Sequence, residues 1–271
     1  MAQPKIVFLG TAGDSIVTGK QLLASGGIAV IVDDNQFILD PGPGAITKAK
    51  QYGINVRDST GVIVCNSNLL NCNDANAVVD AMTLGGIDKF GVLLANKSSL
   101  IGSDGCRPYI TEKHKSFAER AILLESGKRV GINEIEISAT KTKGVDETGI
   151  GIRMLTSQFR LGYTGDTGYN TEIAEQYKGV DLLIVKMPLC ADQKEQHRLN
   201  TDDAIKLISH VKPKLAILTH FGIKVLKEDI LEETRKVQRS TKIQTIAARD
   251  GMVINPISYA VNLRQKTLNF F

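Results

Sequence analysis

The 271 residues carry 33 basic and 29 acidic side chains, a net charge of +4, and 42% of them are hydrophobic. That apolar share excludes a disordered chain, and so small a net charge gives no argument for nucleic-acid binding. No apolar run reaches the roughly 18 residues of a membrane helix, and "MAQPKIVFLG" lacks the shape of a signal peptide, so no membrane association and a cytoplasmic location are expected. With no linker, repeat or low-complexity segment, the length suits a single domain over residues 1–271. Cys65, Cys72, Cys106 and Cys190 form no C-x-x-C pair and read as reduced thiols.

In chain order, "KIVFLG" (5–10) is the first strand, followed by the loop "GTAGDS". That loop lacks the Lys-Ser/Thr of a P-loop and the spacing of GxGxxG, so it reads as a turn. "GIAVIVDD" (27–34) and "QFILD" (36–40) pattern as a hairpin turning at Asn35. "PGPG" breaks the strand, and "AITKAKQYG" is a short helix ended by Gly53. "GVIVC" (61–65) and "GVLLA" (91–95) are buried strands around a helix at Asn73–Met82. "NEIEISAT" (133–140), "GIGIRMLT" (149–156) and "FRLGYTGD" (159–166) have strand length, the last two forming a hairpin around Ser157-Gln158. "YNTEIAEQYKG" is a helix, and "VDLLIVKM" (180–187) and "KLAILTHFG" (214–222) carry strands. "NTDDAIKLISHVKP" and "KEDILEETRKVQRS" are helices with acids in the first turn, where the helix dipole favours them. "GMVINP" closes the ordered core.

This order predicts an α/β protein with two mixed β-sheets and helices packed outside, an αββα four-layer sandwich. Polar residues recur at strand C-terminal ends: Asp40, Asn66 to Asn71, Asp166 and His220. Loops at such ends converge on one edge, where a site is normally built.

Four landmarks, "FLGTAGD", "ILDPGPGA", "GYTGDT" and "AILTHFG", together with the strand, polar cluster and helix at 61–82, resemble the metallo-β-lactamase fold superfamily. The likeness runs from Lys5 to about Asn255 and is closest to the branch that includes transfer-RNA 3′-processing nucleases. There "LTHF" accompanies an H-x-x-x-T helix start, here "HRLNT", His197 to Thr201. The hallmark of that family is H-x-H-x-D-H, whose imidazoles and carboxylate bind metal ions that lower the pKa of a bound water to about 7. The matching stretch here is "NSNLLN": Asn66 and Asn68 stand for the first two histidines, Leu70 for the aspartate and Asn71 for the last histidine. A further ligand histidine falls in a K-H-S-D loop, which here reads "KGVD" and places Gly144 there.

Only Asp166 and His220 remain of the ligand set that the resemblance implies. Asparagine carbonyls are weak zinc partners and leucine offers none, so a tight zinc site is not expected. One hard divalent ion on Asp166 and Asp40 is the alternative. Thiolates from Cys65 and Cys72 are a second rescue, though both fit better as packed apolar residues. Alone, Asp166 reads as a turn residue holding backbone N–H groups, and Asp40 as the residue pinning "DPGPG". His197 matches a position linked to proton transfer and is the one catalytic candidate.

The expected function is therefore a non-catalytic binding or assembly subunit, a pseudoenzyme with no cofactor, partnered by another protein or by its own copies. Asn66, Asn68, Asn71 and Asp40 are its candidate ligand-binding residues. The alternative is a metal-dependent hydrolase of phosphoesters, esters or lactones with an atypical, mononuclear site. Nucleic-acid binding inherited from the nuclease-like branch is a third reading, to which an aromatic content of 5% lends little support.

Overall fold

The computed structural model describes residues 3–103 and 107–263; Cys106 lies outside the described residues. Two sheets face each other. The first runs Val261–Leu263, Met252–Ile254, Lys5–Phe8, Ile28–Val32, Asn35–Leu39, Gly61–Val64, Val92–Ala95, Arg120–Leu123. The second runs Thr245–Ala247, Leu215–Thr219, Leu182–Lys186, Arg160–Tyr163, Ile150–Leu155, Ile135–Lys141, Arg129–Ile132. Each is parallel at one end and antiparallel at the other, so both are mixed as expected.

The central strands read as unbroken apolar runs because both of their faces are covered. Ile6, Phe8, Phe37 and Ile63 of the first sheet meet Ile152, Leu161, Ile184 and Ile217 of the second in the inner core. Ala45–Gln51 and Ala75–Met82 cover the outer face of the first sheet. Thr201–Val211 and Ile230–Thr241 cover that of the second. Full burial of such aliphatic and aromatic side chains contributes roughly 1.5–3 kcal/mol each. No helix among the described residues is long and apolar enough to cross a membrane.

Several expectations shift in detail. The first hairpin turns at Asp33 and Asp34, not Asn35, which already pairs with Val32. Both aspartates are left-handed, with φ of 49° and 58°, as a two-residue hairpin turn requires and as short polar side chains tolerate. A helical turn, Leu69–Cys72, precedes Ala75–Met82 inside the polar cluster. The helix expected over "KEDILEETRKVQRS" is split at Asp229, whose φ of 77° ends Ile223–Glu228. The Asn200 cap of Thr201–Val211 is as expected, its side-chain oxygen accepting from Asp203 N–H at 2.9 Å.

Asp181 ties the strand Leu182–Lys186 to its neighbours. Its carboxylate accepts from the Arg160 N–H and Nε at 3.0 Å and from Lys214 Nζ at 3.0 Å. These partners, the Arg160 hydrogen bond first, hold its pKa at about 2 against the opposing push of burial. A depressed carboxylate stabilises the fold above its unfolded pKa and loses that contribution as pH falls through the folded one. Asp181→Asn is thus expected to lose about 1–2 kcal/mol at neutral pH, after screening through exposed Arg160 and Lys214. Melts recorded from pH 7 downward should show the gap closing between about pH 4 and 2.

Candidate functional site

The ends of five strands bring the site together. Asp40 follows Asn35–Leu39, Asn66 follows Gly61–Val64, Asp166 follows Arg160–Tyr163, and His220 follows Leu215–Thr219. Lys186 is the last residue of Leu182–Lys186. Asp40 and His220 are both left-handed, with φ of 45° and 58°. Such conformations are strained for non-glycine residues and turn the chain sharply at the strand end. Gly13 permits the His220 turn, since a Cβ there would collide with the His220 carbonyl.

Lys186 organises the floor. Its ammonium donates to Asn71 Oδ1 at 2.7 Å, Asp166 Oδ1 at 2.9 Å and Asp40 Oδ2 at 3.0 Å, and lies 5.2 Å from the centre of the Tyr163 ring. Its side chain is 2% exposed, and burial alone would discharge it. The two carboxylates outweigh burial and raise its pKa, so it remains a cation.

Asp40 lies beneath the cleft, wholly buried. It accepts from Cys65 N–H at 2.7 Å and Tyr163 Oη at 2.6 Å as well as from Lys186. It therefore bonds across to other strands instead of pinning its own "DPGPG" turn, and its oxygens do not line the cleft cavities. Asn71, also wholly buried, donates through Nδ2 to Asn66 Oδ1 at 2.9 Å and Asp166 Oδ2 at 2.8 Å. Asn66 Oδ1 also accepts from Asn68 N–H at 2.9 Å. The exposed Asn68 caps Leu69–Cys72, its Oδ1 accepting from Leu70 N–H at 3.1 Å. Asn66 and Asn71 are thus engaged internally, which leaves Asn68 as the amide turned toward the cleft mouth.

Asp166 is partly exposed. Burial pushes its pKa up, but the Lys186 charge first, with the hydrogen bonds from Lys186 and Asn71, lowers it to about 2. It accepts from side chains, not from the backbone of its own turn. His220 is 3% exposed, and neither ring nitrogen has a hydrogen-bond partner among the described residues. Burial first and then the Lys186 charge push its pKa well below the ordinary range, so it is neutral. His197 is exposed at the mouth, its Nδ1 3.4 Å from the Lys143 carbonyl oxygen.

Cys65 and Cys72 are fully buried in the inner and outer cores respectively. Burial raises both thiols, Cys72 to about 12, so neither is a ready thiolate.

The cavity bounded by Asn68, Asn71, Asp166, Lys186 and His220 measures about 20 Å³, room for about one water. Asn68 and Arg198 also border a broad outer shelf of about 950 Å³, whose lining includes the exposed apolar residues Ile101 and Val145.

Residues 75–221 match the family described as the beta-lactamase superfamily domain. The protein MJ1374 of Methanocaldococcus jannaschii is 30% identical over 252 residues, 92% of this chain and 94% of that one. The chain belongs to the beta-lactamase superfamily. The metallo-β-lactamase fold protein YhfI of Bacillus subtilis superposes with a TM-score of 0.78 at 17% identity, covering 93% of this chain and 99% of that one. The short form of human tRNase Z does so with a TM-score of 0.67 at 14% identity, covering 92% and 98%. The αββα frame of the superfamily is therefore present.

The metal centre that this fold implies does not fit the residues here. No group of three or more His, Cys, Asp or Glu side chains among the described residues is placed to hold an ion. The Lys186 ammonium sits between the carboxylates that a cation would need. At Gly144, where the resemblance puts a ligand histidine, a Cβ would stand 2.7 Å from the Asp166 carbonyl oxygen, so the backbone as it stands leaves no room for a side chain.

Two contributors escape a reading of motifs. Lys186 interrupts the apolar run that begins after Asp181 in "VDLLIVKM"; a lysine that such a run buries needs partners, and that was the available signal. Asp146, the acid of "KGVD", collects Ser67 N–H and Oγ at 3.0 Å, Asn96 Nδ2 at 2.9 Å and Ser98 Oγ at 2.9 Å. Burial opposes its ionisation, but these donors and Thr148 lower its pKa. It fastens its loop over the polar cluster, and its partners are too scattered in sequence to form a pattern.

Proposed function

We propose that this chain is a non-catalytic binding or assembly protein on a hydrolase frame, and that its outer shelf holds a segment of a protein partner. The observation that carries this reading is the Lys186 ammonium, hydrogen-bonded to Asp40, Asp166 and Asn71 in the place where hydrolysis would need an activated water. The shelf has the dimensions and the mixed lining that suit a peptide loop, with Ile101 and Val145 exposed beside Lys97, Asn68 and Arg198. Asn68, Arg198 and His197 are the polar contacts we assign to the partner; Asn66, Asn71 and Asp40 support them from below.

Turnover of phosphodiester, ester and lactone substrates is expected to stay at the uncatalysed rate with or without added zinc or manganese. Metal-stimulated turnover that disappears in His220→Ala would overturn the reading. Affinity capture from the native host is expected to return a partner that Val145→Glu and Arg198→Glu release. Recovery of the chain alone, as a monomer, counts against an assembly role.

A further inference from the structure

We propose that the Lys186 ammonium is a tethered replacement for the metal cation around which this fold builds its cleft. The inference deepens the proposed function and rests on its premise that the wild-type cleft holds no metal.

An ammonium has three N–H donors and no acceptor. Lys186 Nζ meets three oxygen acceptors, Asn71 Oδ1, Asp166 Oδ1 and Asp40 Oδ2, all within 3.0 Å, so its donor capacity is filled. Two of these acceptors sit at positions where the resemblance puts metal ligands: Asp166 itself, and Asn71 in place of the last histidine of the motif. The third such group, His220, faces the same cavity with both ring nitrogens free of hydrogen bonds to any described residue. A buried polar group without a partner is unfavourable, and a neutral imidazole is a good metal donor. The floor thus keeps a carboxylate, an imidazole and an amide oxygen around one positive charge, and the chain supplies that charge from a neighbouring strand.

Neutralisation by a side chain also accounts for the closed histidine position at Gly144. Once the cation is covalently attached, ligands that served only to retain an exchangeable ion have no further role. The carboxylates must persist, because a buried lysine without them would be an unpaired charge.

The test removes the tether. Lys186→Ala leaves a space bordered by Asp40, Asn71, Asp166 and His220. Its melting temperature is expected to fall by about ten degrees and to recover part of that loss in zinc chloride, manganese chloride or propylammonium chloride. Zinc should bind it at least tenfold more tightly than wild type by calorimetry, and Asp166→Asn added to Lys186→Ala should abolish the gain. If Lys186→Ala does not accumulate folded, Lys186→Gln provides the comparison, since it keeps a polar stem but lacks the charge. A folded, uncharged variant that gains no cation affinity overturns the proposal, as does a wild-type chain that binds zinc equally well. Metal-independent turnover by the wild type would sink the binding function and leave the role of Lys186 standing, so the two failures are distinguishable.

Discussion

Lys186→Met is expected to destabilise the protein by about 3–5 kcal/mol at neutral pH, the range for removing one partner of a buried ion pair. For a chain of this length that is a fall of roughly ten degrees in melting temperature. The effect comes from what remains: Asp40 and Asp166 are left without their shared counter-ion. Methionine fills the volume of the stem but cannot donate to Asn71 Oδ1. The pH dependence follows from Asp166, held in wild type at about 2. A carboxylate depressed in this way stabilises the fold above its unfolded pKa and ceases to do so as pH falls through the folded value. The variant lacks that contribution, so the gap between the proteins is full at pH 7 and narrows from about pH 4 down to 2. Thermal melts of both proteins across this range measure it. Equal melting temperatures at pH 7 would mean that Lys186 is not the counter-ion of the buried carboxylates.

Gly42→Ala carries the second large effect, for a steric reason. The loop from Asn66 to Asn71 rests on the "PGPG" turn, where a Cβ at Gly42 would overlap the Leu70 carbonyl oxygen and stand 2.9 Å from its carbon. Both are backbone atoms, so no rotamer change relieves the clash. The turn or the loop must move, at a cost of about 1–3 kcal/mol or more. Movement of the loop also pulls Asn71 from Lys186 and Asp166, coupling a remote methyl group to the floor. Chemical denaturation should show the loss of stability, and amide exchange should show faster opening of residues 66–72. Gly44→Ala is the control: a Cβ at Gly44 meets nothing within 4 Å, and its φ of 82° predicts a modest backbone penalty alone.

Much of the frame is visible in the sequence because its central strands are buried on both faces. Val62 to Val64, Leu182 to Val185 and Leu215 to Leu218 are apolar without interruption. The edge strands are harder to see. Arg120–Leu123 and Arg129–Ile132 are partly exposed and mix arginine with aliphatic residues, so they carry neither an apolar run nor a clean alternation. Val261–Leu263 is short and pairs antiparallel with Met252–Ile254. At the site, Asn66, Asn68, Leu70 and Asn71 stand out because a motif supplies the positions at which to look. The partnership of Lys186 with Asp40, 146 residues earlier, has no local signature, since it arises where two sheets bring their strand ends together. For the same reason the sequence overstates the amides as ligand groups: Asn66 and Asn71 are already bonded to each other.

Metal content decides most directly whether this cleft runs on a fixed or an exchangeable cation. Wild-type protein purified without a metal-affinity tag or chelator, and analysed by plasma mass spectrometry, is predicted to contain zinc, manganese and iron far below one ion per chain. Its melting temperature should not change on adding EDTA. Near-stoichiometric metal in the wild type, lost in His220→Ala, would contradict the account.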